Sequence, residues 1–296
     1  PQIEQLKEGV DVLIATPGRM FDLISQRHLD IRNVEILILD EADLMLDMGF
    51  YKDIADVIKQ LPRQHQTLFF SATINAEIKE LAFSIVRNPI RIQIAPKDRV
   101  SKNVTHVVSF VAMDDKRFFL EKLIKEHPAE KILVFVRTKV RAERLQAAMK
   151  RVDIESLMMH GGKDQDDRLN VLQSFRDGEK LLLITTDVSA RGIDIPNVEF
   201  VVNYDMPEVP ENYIHRVGRT GRGIHKGKAI SYCSPEEQEL LEAIEQYLES
   251  EITISKIGKG EYDQTLAATE DTPNDNWKLL LNEENKRLSK AKRKKK

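Results

Sequence analysis

Two hydrophobic periods alternate along the chain. Short, nearly solid apolar runs at 10–15, 36–39, 67–70, 104–112, 132–136, 157–160, 181–186, 200–204 and 228–233 predict strands. Between them, apolar residues recur every three or four positions. Met20, Leu23 and Ile24 predict a helix after Thr16, and Ile54, Val57 and Ile58 predict one that ends at Leu61–Pro62. Further helices are predicted at 76–86, 115–127, 140–151, 165–177, 211–217 and 236–248. A run such as Ile36–Leu39, with no polar face, fits a central strand of a parallel sheet covered by helices on both sides. Strand and helix in strict alternation give an α/β fold. The alternation lapses at 95–103, a polar, charged stretch containing Pro96 that reads as a linker, and then restarts. Residues 1–94 and 104–236 therefore predict two α/β domains. A C-terminal helix and extension occupy 237–260, and 261–296 reads as a flexible tail.

Chemistry collects where the predicted strands end. The run Val34–Leu39 stops in Asp40, Glu41, Ala42 and Asp43. Ligands in open α/β sheets bind beyond the strand carboxyl ends, which favours a metal- or water-holding role for these acids over a solvated loop. Thr16–Pro17–Gly18–Arg19 places a cap residue and a first-turn proline before a helix. It is either an ordinary capped helix or a phosphate grip. Ser71 and Thr73 follow the next strand, and by themselves they suit helix capping. In the second domain, His160–Gly161–Gly162 precedes Gln165 and Arg168 on one helix face. Thr186–Asp187 closes a strand ahead of Arg191, Gly192 and Asp194, and His215–Arg222 packs three arginines, a histidine and two glycines into eight residues. Gly218 and Gly221 are costly in a helix, so the octapeptide reads as arginines needing freedom to reach phosphate.

Composition adds limits. A 296-residue chain, 41% hydrophobic and 31% charged, with no apolar run near the ~20 residues of a membrane span, suits a globular protein in solution. Its one cysteine, Cys233, sits in a strand and reads as a small core hydrophobe, in keeping with a reducing cytoplasm. The net charge of −3 hides an asymmetry: Lys286–Lys296 holds eight Lys or Arg and no acid. Residues 1–285 thus have 37 basic against 48 acidic residues, a net of −11. A basic tail on an acidic body suggests a polyanion partner, with a solubilising tail as the alternative.

Taken together and in order, Thr16–Arg19, Asp40–Asp43, Ser71–Thr73, Thr186–Asp187 with Arg191–Asp194, and His215–Arg222 resemble the DEAD-box ATP-dependent RNA helicases, most nearly the bacterial RhlE-type branch. The resemblance covers residues 1–236. It implies two RecA-like domains that close on ATP and RNA, the first incomplete here. By the same resemblance Asp40 positions Mg²⁺ through water, and Glu41 orients and deprotonates the attacking water. Asp43 couples to Ser71 and Thr73, and Arg219 and Arg222 are arginine fingers. His215 links the domains near the phosphates, Gly192 and Asp194 contact the ribose, and Arg191 pairs across the interface. RNA is implied to lie on Thr16, Gly18, Arg19, Gly161, Gln165, Arg168 and Thr186. These are backbone grips, so binding is expected to be independent of sequence.

The chain departs from the family in one large respect. No GxxxxGK[ST] phosphate loop occurs, and the adenine-reading glutamine segment is also absent. The chain starts at Pro1 without an initiator methionine, and the expectation is a truncated helicase whose 296 residues alone do not hydrolyse ATP. Leu44 and Gly162 stand where the family often has arginine and aspartate. The expected protein is a cytoplasmic, monomeric RNA helicase acting on RNA, a ribosome or an RNP, with no membrane partner. A nucleotide-independent RNA-binding or RNP scaffold and a DNA helicase or translocase are the alternatives.

Overall fold

The structure, a computed structural model, describes residues 2–47, 49–71, 76–86, 88–92, 100–190, 198–221, 223 and 225–268. The chain divides into two compact units, Pro1–Ala95 and Pro96–Lys296.

In the first unit the order is α1 (Gln2–Glu8), α2 (Pro17–Ser25), β1 (Ile36–Leu39), α3 (Ala42–Asp47), α4 (Tyr51–Gln60), β2 (Gln66–Phe69) and α5 (Ala76–Ile85). β1 and β2 pair in parallel, Ile36 opposite Gln66 and Leu39 opposite Phe69. Leu37 and Leu39 face α4 and α5, packing with Ile54, Leu81 and Ile85. A second cluster joins α2 to α4 through Met20, Phe21 and Ile24 against Val57 and Leu61.

Two expectations fail in this unit. The 10–15 run forms no strand, and Ile14 is 94% exposed. A strand is held by a hydrogen-bonding neighbour, and among the described residues of this unit only β1 and β2 pair. For the same reason β1 is not covered on both faces: Ile36 and Ile38 are 53% and 58% exposed.

The second unit contains β3 (Val104–Phe110), α6 (Lys116–Glu126), β4 (Ile132–Phe135), α7 (Lys139–Arg151), β5 (Leu157–Met159), α8 (Gln165–Asp177), β6 (Leu182–Thr185), α9 (Asp187–Ala190), β7 (Phe200–Asn203), α10 (Pro210–Val217), β8 (Gly227–Cys233), α11 (Gln238–Leu248), β9 (Thr253–Ile254) and α12 (Lys259–Ala267). Its seven strands form a parallel sheet in the order β5-β6-β4-β7-β8-β3-β9. Alternate residues of each strand enter opposite cores. Leu133, Phe135, Leu183 and Val201 pack with Phe175, Tyr213, Val217 and Ile244 from α8, α10 and α11. Ile132, Val134, Ile184 and Val202 pack with Leu120, Leu123, Leu145 and Met149 from α6 and α7. Cys233 is fully buried in the first of these cores.

Local chemistry sets the helix ends. The Thr138 hydroxyl caps α7 by accepting from Arg141 N at 3.2 Å, and the Asp164 carboxylate caps α8 by accepting from Asp167 N at 2.8 Å. Gly178 ends α8 in the left-handed conformation, φ 77°. The segment after 236 is more ordered than its polarity suggests. β9 adds to the sheet edge beside Val107 and Val108, and α12 lies on α6, where the Tyr262 and Phe119 rings are 4.9 Å apart. The Tyr262 hydroxyl accepts from Ala112 N and donates to Asp115. Residues 261–267, expected to begin a flexible tail, are therefore helical, because one aromatic ring gives the helix an anchor. The basic run 286–296 lies outside the described residues.

Candidate active site

The acids of the first unit stand at the carboxyl end of β1. Phe70 N donates to Leu39 O at 2.8 Å and Ala42 N to Phe70 O at 3.1 Å, so the turn after β1 is bolted to the end of β2. Asp40 is exposed there, one carboxylate oxygen accepting from Glu41 N at 2.9 Å. Glu41 adopts φ 50°, a left-handed conformation unfavourable for a side chain of this size. The following Ala42 is fully buried and fixes the turn. Asp43 is buried in the first turn of α3, accepting from Leu44 N at 3.1 Å. Ser71 follows Phe70 directly and shares this edge; Thr73 lies outside the described residues.

The Thr16–Arg19 segment differs from its expected form in detail. Thr16 is the N-cap of α2 and its carbonyl accepts from Met20 N at 3.0 Å, but its side chain makes no capping bond. Pro17 is buried at the first helical position, and Gly18 is open, with nothing within 4 Å of a Cβ built on it. Arg19 pairs with Asp22 and donates to Gln2 Oε1 at 2.9 and 3.1 Å, so a backbone phosphate competes with partners already present.

In the second unit, the order β5-β6-β4-β7 brings four strand ends side by side: His160–Gly161, Thr186–Asp187, Arg137–Thr138 and Asp205. Gly161 is open, and Gln165 is exposed in the first turn of α8. Arg168 is half-buried, its Nε without a hydrogen-bond partner among the described residues. Thr186 is buried at the tip of β6. His160 is buried, and its Nδ1 accepts from Gly162 N at 3.1 Å, which places the ring proton on Nε2. Burial, and then the Lys139 ammonium, pull this imidazole below the ordinary histidine pKa.

Behind these ends runs a network of buried charge. Arg216, 1% exposed, donates to both Asp187 oxygens at 2.5 and 2.7 Å and to Asp205 O at 2.7 Å. Asp205 in turn accepts from Arg137 N at 2.9 Å and pairs with Arg141 at 2.6 Å. Glu237 accepts from Lys116, from Arg137 at 3.0 Å and from Met206 N at 3.1 Å. Burial lowers the Lys116 pKa, with the Glu237 and Asp205 carboxylates working against it.

The expectation that the octapeptide's arginines all reach outward is thereby corrected for Arg216, which is a buried clamp. Gly221 is also explained differently. Gly221 has φ 66°, and a Cβ there would come within 2.4 Å of Val104 Cγ2, so glycine serves the fold rather than arginine mobility. His215 and Arg219 are half-buried at the end of α10, Arg219 Nε donating to His215 O at 3.2 Å. Arg191, Gly192, Asp194 and Arg222 lie outside the described residues.

Family comparison agrees with this layout. Residues 1–81 match the DEAD/DEAH box helicase family, and residues 115–223 match the helicase conserved C-terminal domain. The chain belongs to the DEAD-box helicase family. It is 37% identical over 260 residues to the ATP-dependent RNA helicase RhlB of Shewanella amazonensis, covering 87% of this chain and 59% of that protein. It is 38% identical to RhlB of Psychromonas ingrahamii, covering 87% and 62%. It thus spans about three-fifths of the length of these curated relatives. Both relatives bear the RhlB name, so the RhlE-type likeness is not carried further. Among solved structures, S. cerevisiae Dbp5 bound to RNA and ADP–BeF3 is similar at a TM-score of 0.75 and 33% identity, covering 85% of this chain and 66% of that one.

Motif reading missed some polar positions of this DEAD-box chain. Asp187 and Arg216 were visible only as letters of motifs, and Asp205 and Glu237 not at all. One signal was available. Tyr213, Arg216 and Val217 occupy one face of α10, and the two neighbours are core residues, which marks Arg216 as buried.

Proposed function

We propose that this chain carries the water-activating acids and much of the RNA-gripping surface of an ATP-dependent RNA helicase. In this reading the protein separates short RNA duplexes or remodels RNA–protein complexes as its two domains close and reopen. The observation that carries it is the pair of exposed Asp40 and half-buried Glu41, held by β1–β2 hydrogen bonds with Glu41 in an unfavourable backbone conformation. Backbone strain retained at a half-buried acid on a strand end is a mark of function.

Asp40 suits Mg²⁺ of the open kind, which takes one or two carboxylates and leaves the remaining positions to water and phosphate. Among the described residues no group of three or more His, Cys, Asp or Glu offers a closed cage. When bound, the ion neutralises developing phosphate charge. Glu41 orients and deprotonates the attacking water, Asp43 with Ser71 and Thr73 relays the state of the nucleotide, and Arg219 and Arg222 stabilise the transferring phosphoryl group. Arg191, Gly192, Asp194 and His215 complete the nucleotide side. Thr16, Gly18, Arg19, Gly161, Gln165, Arg168 and Thr186 hold RNA by its backbone, a reading supported by the RNA-bound state of Dbp5. The sequence has no GxxxxGK[ST] segment, so turnover is assigned to a polypeptide that supplies one. We place the protein in the cytoplasm as a monomer acting on RNA or RNPs; no described helix is long and apolar enough to cross a membrane.

The test is phosphate release by a polypeptide that includes a phosphate loop, with and without RNA. Glu41→Gln is expected to reduce RNA-stimulated turnover by about 10²–10⁴-fold while nucleotide still binds. Turnover at the unaltered rate would remove Glu41 from the chemistry.

A further inference from the structure

We propose that a pocket at the amino-terminal end of the second unit's sheet is the seat of a segment of this same chain, Trp277–Leu281, which lies outside the described residues. The pocket has a volume of about 220 Å³ and lies between the end of α6 and the starts of β4 and β6. Gly161, Thr186 and Asp187 stand at the other end of the strands, so the pocket is separate from the candidate active site. Ile132 and Leu182 are buried in its lining, whereas Ile124, Ile154 and Leu181 stay half-buried and leave apolar surface that an occupant would remove from water. A hollow of about 150 Å³ lined by Leu, Ile and Phe holds benzene, so this one has room for a larger ring.

Chain length and chemistry select the occupant. α12 lies on α6, the helix that supplies Ile124, with the Tyr262 and Phe119 rings 4.9 Å apart and Lys122 Nζ 2.6 Å from Glu261 Oε1. Phe119 and Ile124 are separated by about 7.5 Å along α6, and Tyr262 and Ala268 by about 9 Å along the chain after it, at the helical rise. Ala268 to Trp277 is nine residues, a reach of up to about 30 Å, so the segment arrives whichever way α12 points. Such a short tether holds the segment near the pocket at about millimolar effective concentration. Residues 269–276 are polar apart from Pro273, and Trp277, Leu279, Leu280 and Leu281 then bring the large apolar side chains of 269–285 together. A tether that stayed solvated throughout would have no use for them. Charge agrees with this choice. The lining supplies Glu130, Glu155 and Glu179 against Lys180, and His127 Nδ1 stands 2.5 Å from Glu130 Oε2. The segment carries Lys278 and no acid. The carboxylates also offer the acceptor that an indole N–H takes when its ring is buried.

Trp277 is the single tryptophan of the chain, so its fluorescence reports its own surroundings. In the full 296-residue chain its emission is expected to be blue-shifted, and its quenching by acrylamide weaker, than in the same chain unfolded in urea. Leu181→Asp, which sets a charge in the pocket, is expected to move both readings to their unfolded values. Glu155→Lys reverses a charge on a side chain that is 77% exposed, and is expected to lower the ratio of docked to free segment about 2–5-fold. Replacing Leu279, Leu280 and Leu281 by serine, which leaves the pocket untouched, is expected to free Trp277 as fully as Leu181→Asp does. Circular dichroism reports whether Leu181→Asp folds, and the Glu155 and leucine variants decide the matter without it. Emission of the unaltered chain already at the unfolded position overturns the proposal. So does a blue shift that both Leu181→Asp and Glu155→Lys leave unchanged, since Trp277 is then buried elsewhere. A blue shift that disappears on dilution gives the pocket to a second copy of the chain, and overturns docking within one chain.

Discussion

β1 and β4 are nearly the same sentence in sequence, Ile–Leu–Ile–Leu and Ile–Leu–Val–Phe, yet they fare differently. Every β4 side chain is at most 1% exposed, while Ile36 and Ile38 of β1 stand more than half exposed. β4 has a strand on each side and helices on both faces; among the described residues β1 pairs with β2 alone. Burial on two faces belongs to the sheet and is only permitted by the strand. The strand ends differ in the same sense. In the second unit Asp187, Asp205 and Glu237 are tied to arginine or lysine and hold structure, whereas Asp40 of the first unit is exposed.

The sharpest break of this comparison is Arg216→Met. It strands Asp187 beside a buried site, and should cost the second unit about 3–5 kcal/mol in urea unfolding. A loss below about 1 kcal/mol would mean that the pair is solvated, like a surface bridge. Next come Leu133→Ala and Ile38→Ala, the same kind of truncation on the two strands. The first should cost about 2–5 kcal/mol, the second under about 1, because an exposed side chain leaves no cavity. Equal costs would show that the open face of β1 is covered in solution.

Glu41→Gly should separate strain from function. Glycine accepts φ 50° without penalty, so stability should hold or rise by up to about 1 kcal/mol, while on the proposed reading RNA-stimulated phosphate release by a polypeptide that supplies the phosphate loop is lost. A clear loss of stability would make the Glu41 carboxylate a structural group.

The smallest effect is the pH response of His160. Its folded pKa lies below the unfolded value of 6.5, so the unfolded chain binds the proton more readily. Its contribution to stability is complete above that value and declines as pH falls below it. His160→Gln should flatten the acid limb of a stability–pH profile below pH 6.5. An unchanged limb would mean that His160 is protonated equally in both states.

Much of this was written in the chain. The 3.6 and 2 periodicities placed β4, α7, α8 and β8 within a residue or two, since each has caps or neighbours that agree with its local preference. The strand-end position of Asp40, Gly161 and Thr186 also followed from the order of runs, as did the motifs of the helicase family. Tertiary structure alone decided what those runs could not encode. It left 10–15 without a partner and so without strand form, and it gave α12 a seat through Tyr262. It turned Arg216 inward onto Asp187, residues 29 positions apart, and brought Lys139 against Gly162. Such pairings depend on which strands become neighbours, and sheet order is a property of the whole unit rather than of any window of sequence.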